Sequence, residues 1–213
     1  MNPIGVVICN YNKKDFVLQC VQSVLESKEK NFDIYVVDNA SSDGSAEALK
    51  KAYGNRITVI ENKENLGGSG GFNTGLRIVR DKGYSYFMCL DDDAAVDENA
   101  LSVLYHYMEE HTDTGMAGCR VYHTQMPDYI QQSGLLIDFD NCTAKTIGAD
   151  MPEDGSLPDV IECDTVATCA VMVRADTVKQ KGVGIMPEDN FIYWDDMELS
   201  LIHISEPTRH SLI

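Results

Sequence analysis

Basic residues are scarce in this sequence: 17 lysines and arginines stand against 34 aspartates and glutamates, and the net charge at pH 7 is −17. A field of that sign repels the phosphate backbone of nucleic acids, so we expect no nucleic-acid partner. A single nucleotide ligand remains open, because a divalent metal ion can lie between two negative groups.

Long apolar runs are missing as well. No segment approaches the ~20 apolar residues that cross a bilayer, and no basic segment leads into an apolar one near the N-terminus. We therefore expect a soluble chain without a transmembrane segment. Peripheral attachment of a longer protein to the inner face of the membrane stays open. The length of 213 residues predicts one well-buried domain.

The cysteines lack the features of a disulfide framework or a zinc site. Their number, seven, is odd, and no pair has Cys-x-x-Cys spacing. Cys9, Cys89 and Cys169 lie inside apolar runs. Buried thiols of a reducing compartment fit this pattern better, so the expected location is the cytoplasm.

Strand and helix signals alternate along the first half of the chain. Strands are predicted at 4–9, 32–37, 57–60 and 86–90, and helices at 16–25, 46–49, 72–80 and 99–111. Further on, 116–122 continues the sheet, 131–161 resembles an antiparallel flap, and 165–173 is again an apolar strand. The predicted fold class is α/β: a mostly parallel, Rossmann-like sheet flanked by helices, with a small antiparallel flap.

Three adjacent carboxylates, Asp91, Asp92 and Asp93, directly follow the apolar run 86–90. At a separation of about 4 Å, each like-charge pair costs about 4 kcal/mol at an effective dielectric constant of about 20. A compensating cation is therefore expected, and carboxylate oxygens are ligands that suit Mg²⁺ or Mn²⁺. The alternative is a solvated acidic turn that caps the next helix.

Polar residues also follow the first two predicted strands: Asn10 ends the first, and Asp38 and Asn39 end the second. Ligands of open α/β sheets bind at the carboxyl ends of the strands, so the convergence of these residues with the three aspartates favours a functional site. Asp38 suits a base or ribose contact, or alternatively an Asx turn that opens the segment 41–44.

Two further motifs each allow two interpretations. The glycine-rich segment 65–71 precedes a helix, where it could approach an anionic ligand or serve as a flexible turn. The segment Trp194-Asp195-Asp196 holds the only tryptophan beside two carboxylates. One of these carboxylates could act as a general base, or the pair could simply open a helix.

Taken together, these motifs resemble family-2 glycosyltransferases, which have the GT-A fold. The resemblance covers nearly the whole chain to Glu198. It is carried by five motifs in order: Val6-Val7-Ile8-Cys9-Asn10-Tyr11-Asn12, Val36-Val37-Asp38-Asn39-Ala40-Ser41-Ser42-Asp43-Gly44, Asn62-x-x-Asn65-Leu66-Gly67, Leu90-Asp91-Asp92-Asp93 and Tyr193-Trp194-Asp195-Asp196-Met197-Glu198-Leu199.

The resemblance implies inverting transfer of a sugar from a nucleotide-diphosphate donor to an acceptor hydroxyl, with Mg²⁺ or Mn²⁺ as cofactor. It assigns the catalytic acidic pair to Asp195 and Asp196, with Asp196 deprotonating the acceptor, and acceptor binding to Trp194. Asp91 and Asp93 are assigned to the ribose and to the metal and diphosphate. The implied nucleotide-binding residues are Asn10, Asp38, Asn39, Asn65, Gly71, Asp91 and Asp92.

The Trp194-Asp195-Asp196 form of the acidic motif resembles the galactofuranosyl- and rhamnosyltransferase branch. That branch implies a UDP- or dTDP-linked sugar donor, a glycan or lipid-linked glycan acceptor, and a role in bacterial cell-wall or surface polysaccharide synthesis.

After Glu198 the sequence departs from the family pattern. Residues 199–213 resemble the translation of a sequencing-library adapter, and a family arginine is replaced by Ile202. We therefore expect an incomplete catalytic domain at 1–198, a non-native tail at 199–213, marginal folding and little activity.

Two other functions compete with transfer. A sugar nucleotidyltransferase would be expected to carry a basic glycine-rich loop near the N-terminus, for which the segment 10–14 is a poor substitute. A binding module that has lost catalysis would not need the aspartates at 91–93 and 196, all of which are present.

Overall fold

The computed structural model describes residues 3–141, 143–179, 186, 188–191 and 209–212. The strands are β1 Ile4–Asn10, β2 Phe32–Asp38, β3 Thr58–Glu61, β4 Tyr86–Asp91, β5 Thr114–Gly118, β6 Val121–His123, β7 Met126–Gln132, β8 Leu135–Asp138, β9 Thr143–Thr146, β10 Ile161–Glu162, β11 Ala170–Arg174 and β12 Arg209–Leu212. The helices are α1 Lys14–Glu26, α2 Ser45–Tyr53, α3 Gly67–Lys82, α4 Ala100–Glu110 and α5 Ala175–Lys179, with 3₁₀ turns at Gly54–Arg56 and Glu188–Asn190.

The strands of the main sheet follow the order β10-β12-β5-β11-β4-β1-β2-β3. β1 pairs in parallel with both β2 and β4, and β2 pairs in parallel with β3. β11 enters between β4 and β5 and runs antiparallel to both. The predicted α/β class with a mostly parallel central sheet is thereby confirmed.

Apolar layers cover both faces of the sheet, which explains why its central strands are nearly continuous apolar runs. On one face, Val6 and Ile8 of β1 pack in a cluster with buried side chains of α1, α2 and α4. On the other face, Val7 packs with Phe72 and Leu76 of α3. Adjacent residues of β1 therefore belong to opposite layers, as the two-residue period of a strand requires.

Three boundaries differ from the sequence prediction. Helix α3 begins at Gly67 rather than at residue 72. Residues 121–123 leave the main sheet and pair with β7 in a two-stranded ribbon. The strand predicted at 165–173 is shorter, since only 170–174 form the ladder with β4. The start of α3 was predicted wrongly for an identifiable reason: residues distant in sequence accept hydrogen bonds from the N–H groups at the start of the helix, as described below.

Within the predicted flap, 131–161, the structure has the antiparallel ribbon β8–β9. A second ribbon, β6–β7, lies almost entirely before those bounds. Residues 209–212 pair in parallel with β5 and antiparallel with β10. They fall within the segment predicted to be a non-native tail, and that assignment stays a prediction. Among the described residues, none of the helices has the length and apolarity needed to span a bilayer.

Candidate functional site

The carboxyl ends of β1, β2 and β4 bring three predicted groups to one edge of the sheet. In the ladder Asn10 is level with Asp38, and Cys9 is level with Asp91. The N–H of Asn39 continues the ladder by donating to the carbonyl of Asn10 at 2.8 Å. The convergence inferred from separate motifs is therefore a property of the sheet register.

Asn10 and Asp38 form a buried pair at this edge. Asn10 Nδ2 donates to Asp38 Oδ1 at 2.9 Å and to Ser41 Oγ at 3.1 Å, and Asp38 Oδ2 accepts from the Ser41 N–H at 3.0 Å. Asp38 thus makes a local bond to the segment 41–44, but three residues on rather than the two of the Asx turn offered as its alternative role. The carboxylate also fixes the Asn10 amide, and Asn10 Oδ1 is buried without a hydrogen-bond partner.

Asn39 is the most connected polar side chain of the site and is only 2% exposed. Its Nδ2 donates to Asn65 Oδ1 and to the Gly67 carbonyl, each at 2.9 Å. Its Oδ1 accepts from Asn62 Nδ2 at 3.0 Å and from the Leu66 N–H at 3.1 Å. The Asn39 amide therefore joins the end of β2 to the start of α3.

The three aspartates occupy three different environments. Asp91 ends β4, and its backbone N–H donates to the Cys169 carbonyl at 3.2 Å. Asp92 is 7% exposed, and its carboxylate accepts from the Tyr11 N–H at 3.1 Å. Asp93 has an exposed side chain. Burial raises the pKa of Asp92 above its usual value, against the opposing effect of its hydrogen bonds.

Lys13 is the cation of this cluster. Its ammonium group lies 2.7 Å from Asp93 Oδ2 and 3.1 Å from Asp92 Oδ1. Partial burial would lower the pKa of Lys13, but the hydrogen bonds and charges of Asp93 and Asp92 raise it. Sequence analysis missed this residue, although its position after Asn10-Tyr11-Asn12 placed it near the end of β1.

The donor set suits a metal ion that is shared with a ligand better than one held by protein alone. Within the described part of the chain, no group of three or more histidine, cysteine, aspartate or glutamate side chains is arranged to hold a metal. Asp93, however, presents hard carboxylate oxygens at an exposed position where the protein already places a cationic ammonium.

The glycine-rich segment is the first part of helix α3. Its start leaves no N–H group of residues 66–68 available for a phosphate: Leu66 donates to Asn39 Oδ1, Gly67 to Asn65 Oδ1 at 2.9 Å, and Gly68 to the Phe191 carbonyl at 2.6 Å. These acceptors replace the missing intrahelical partners. Gly71 is buried, and a Cβ there would overlap the sulfur of Cys9. Its predicted nucleotide contact stays a prediction.

The predicted catalytic pair Asp195 and Asp196, together with Trp194, lies outside the described residues. The preceding residues are described, and both Met186 and Glu188 contact Asn73 of α3. Sequence reasoning did not single out Asn73 or Glu188, because 115 residues separate them in the chain.

Comparison with known proteins gives a family match that spans most of the chain. The sequence profile described as Glycosyl transferase family 2 matches residues 5–172. A teichoic acid poly(glycerol phosphate) polymerase of Staphylococcus epidermidis is 27% identical over 146 residues, which cover 66% of this chain and 19% of that protein. The chain thus spans about a fifth of that relative's length.

Solved structures with the same fold include TarS residues 1–349 of S. aureus in complex with UDP. It has a TM-score of 0.71 at 16% identity, and the match covers 99% of this chain and 57% of that one. The mannosyltransferase PcManGT of Pyrobaculum calidifontis, in complex with GDP-Man and Mn²⁺, has a TM-score of 0.68 at 17% identity and covers 98% and 53%.

Proposed function

The chain belongs to glycosyl transferase family 2, and from that membership we propose that its site binds a nucleotide-diphosphate sugar and transfers the sugar, with inversion, to an acceptor hydroxyl. One observation carries the proposal: Asn10, Asp38 and the aspartates at 91–93 meet at the carboxyl ends of three parallel strands. That edge is where open α/β sheets bind nucleotides.

Asn10 and Asp38 are proposed to lie beside the nucleotide. Asn10 Oδ1 is an acceptor without a partner, and a buried group in that state costs about 1–3 kcal/mol. A ligand N–H or O–H that reached this atom would remove the cost. The complexes of the similar folds with UDP and with GDP-Man support a nucleotide ligand and leave the base open.

Asp93 and Asp91 are proposed to hold a divalent ion together with the donor diphosphate. Such an ion, Mg²⁺ or Mn²⁺, would offset the charge on the departing diphosphate. The Mn²⁺ in the PcManGT complex supports this assignment. Lys13 forms an ion pair with Asp93, so the carboxylate of this proposed ligand is already held at the edge of the sheet.

Asp196 is proposed as the base that removes the proton of the acceptor hydroxyl, with Asp195 beside it and Trp194 against the acceptor. Attack from the face opposite to the leaving diphosphate inverts the anomeric centre. Placement in the galactofuranosyl- and rhamnosyltransferase branch rests on the Trp194-Asp195-Asp196 motif. The teichoic acid poly(glycerol phosphate) polymerase among the relatives supports a role in polymer synthesis. Localisation in the cytoplasm, at the inner face of the membrane, is part of the same proposal.

The donor site is tested by calorimetric titration of UDP, dTDP and GDP, each with Mn²⁺ and with EDTA. We expect metal-dependent binding by the wild-type protein and its loss in Asp93→Ala. Asp81→Ala is the matched control, since Asp81 is also exposed and lies at the far end of α3. A folded chain that binds no nucleotide, or an Asp81→Ala variant as impaired as Asp93→Ala, contradicts the proposed donor site.

Transfer is separated from binding by a second measurement. Release of free nucleotide from a bound donor sugar, in the presence of a polyol or glycan acceptor, should require Asp196 and survive in the control. Tight nucleotide binding with no turnover by any extended form of the protein would instead favour the binding module that has lost catalysis.

A further inference from the structure

Helix α3 holds the described residues that precede the acidic motif. Asn73 contacts both backbone groups of Met186: its Nδ2 donates to the Met186 carbonyl at 2.7 Å, and its Oδ1 accepts from the Met186 N–H at 2.8 Å. Asn73 is 3% exposed, and the Met186 side chain is buried in the same layer as Phe72. A side-chain amide that pairs with a backbone in this way fixes both the position and the direction of the chain.

A second contact lies five residues further along the chain, at Phe191. The Phe191 carbonyl accepts from the Gly68 N–H at 2.6 Å. Gly67 has a φ of +74°, and a Cβ there would overlap the Phe191 carbonyl group. Only glycine combines this backbone conformation with so close an approach. The start of the glycine-rich segment is thus shaped by a second piece of backbone.

Glu188 lies between Met186 and Phe191 in the chain and contacts both Asn73 and Phe191. Its carboxylate accepts from Asn73 Nδ2 at 2.9 Å and forms an ion pair with Arg77, one helical turn further along α3. The Phe191 N–H in turn donates to the Glu188 carbonyl at 3.3 Å. The Glu188–Arg77 pair is half-exposed, so the buried amide of Asn73 contributes most of the attachment.

The start of α3 is also fixed to the nucleotide edge, the edge of the sheet formed by the carboxyl ends of β1, β2 and β4, which we propose binds the nucleotide. The Asn39 amide bonds the Leu66 N–H and the Gly67 carbonyl at the start of α3. From Gly67 to Asn73 the helix rises about 9 Å. In the sequence, residue 196 follows Phe191 by five residues.

From these contacts we propose that Asn73 is a positioning residue, which uses α3 as a rigid spacer to hold Met186, Glu188 and Phe191, the described residues that precede the Asp195–Asp196 motif, at a set distance from the nucleotide edge. Gly67 and Gly68 provide the second attachment point for the same segment. This inference rests on the proposed function for the role of Asp196, whereas the attachment itself can be measured without turnover.

Trp194 offers a direct readout, since it is the only tryptophan of the chain and lies two residues before Asp196. We expect acrylamide quenching of Trp194 fluorescence to increase in Asn73→Ala and, to a smaller extent, in Glu188→Gln and Arg77→Ala. Arg80→Ala is the matched control, because Arg80 lies on the same helix and pairs only with its neighbour Asp81 among the contacts described for it. The control should match the wild-type protein.

A kinetic measurement distinguishes positioning from general stability. In Asn73→Ala, the nucleotide dissociation constant should stay within about twofold while kcat falls about 10- to 100-fold, the range caused by misplacing a catalytic group by about 1 Å. Should Asn73→Ala fail to fold, Glu188→Gln and Arg77→Ala carry the test, since both residues are half-exposed.

Unchanged Trp194 quenching in all three variants overturns the attachment. Equal losses of kcat and nucleotide binding overturn the positioning role and leave Asn73 a purely structural residue. Absence of nucleotide binding in the wild-type protein rejects the proposed function instead, and the fluorescence result then stands on its own.

Discussion

Replacing Asn39 by alanine tests whether one amide joins β2 to α3. The substitution removes four side-chain hydrogen bonds, two of them to backbone groups at the start of the helix. At about 1 kcal/mol each, the loss approaches 4 kcal/mol. Because Asn62 and Asn65 are only partly buried, water can replace some of their bonds. We expect a loss of about 3 kcal/mol in the free energy of unfolding.

Two neighbouring substitutions give a graded comparison. Asn65→Ala removes the acceptor of the Asn39 and Gly67 donors and should cost about 2 kcal/mol, while Asn62→Ala removes one bond and should cost about 1 kcal/mol. Asn55→Ala is the control: its exposed side chain should contribute within about 0.5 kcal/mol. The order of the costs is the more stringent part of the prediction.

Asn39→Asp separates hydrogen bonding from side-chain size. A carboxylate oxygen would face the Gly67 carbonyl and Asn65 Oδ1, where the native amide donates. Burial beside two acceptors raises the folded-state pKa of the new carboxyl above its unfolded value. The destabilisation is therefore fully present above the folded pKa and shrinks as the pH falls toward about 3.9.

Urea unfolding followed by circular dichroism measures all of these changes. In a chain of this length, about 3 kcal/mol corresponds to a fall in Tm of about 6–12 °C. The reasoning is refuted if Asn39→Ala costs less than about 1 kcal/mol, or if Asn62→Ala costs as much as Asn39→Ala. If the loss of unfolding free energy in Asn39→Asp does not diminish at low pH, the destabilisation is not caused by the charge of the new carboxylate, and that part of the reasoning is refuted.

Two further predictions concern titrating groups. Burial raises the pKa of the Cys163 thiol to about 11, so iodoacetamide should label it at pH 8 at least about 100-fold more slowly than an exposed thiol; rapid labelling of the native protein, seen by mass spectrometry, contradicts this. The hydrogen bond from Asn73, followed by the charge of Arg77, lowers the pKa of Glu188. This attachment therefore stabilises the protein above the unfolded pKa and is lost as the pH falls through the folded value. Trp194 quenching should rise below about pH 4, whereas an acid response undiminished in Glu188→Gln contradicts the assignment.

The sequence predicted the sheet edge well, because the signals there are local. Apolar runs mark β1, β2 and β4, and a parallel sheet aligns their carboxyl ends, so Asn10, Asp38 and the aspartates had to meet. The same locality explains the correct order of helices and strands. Helices α1, α2 and α4 also begin close to their predicted starts, whereas the short helix α5 was not predicted.

The start of α3 could not be predicted from local signals. Glycine has a low helix propensity, and four glycines between 67 and 71 indicate a loop. The helix forms there because Asn39, Asn65 and Phe191 accept from its first N–H groups. Those acceptors lie up to about 120 residues away, and only the folded chain brings them together.

The acidic run 91–93 shows how burial divides roles among identical neighbours. Asp91 belongs to the ladder of β4, Asp92 is buried against the Tyr11 N–H, and Asp93 has an exposed carboxylate. The Lys13 ammonium, which forms ion pairs with Asp92 and Asp93, offsets part of the charge repulsion that the sequence implied.

A built-in ammonium group changes what a metal ion must do at this edge. Any divalent ion that binds Asp93 competes with the Lys13 ammonium for the same carboxylate oxygens. Because Lys13 already offsets part of the negative charge of Asp92 and Asp93, these two carboxylates alone attract a divalent ion only weakly. The diphosphate of a donor supplies the additional negative charge and oxygen ligands that the protein lacks. Metal and donor are therefore expected to bind together, and Asp93, the aspartate of the run with the exposed side chain, is where a substitution should separate binding from folding.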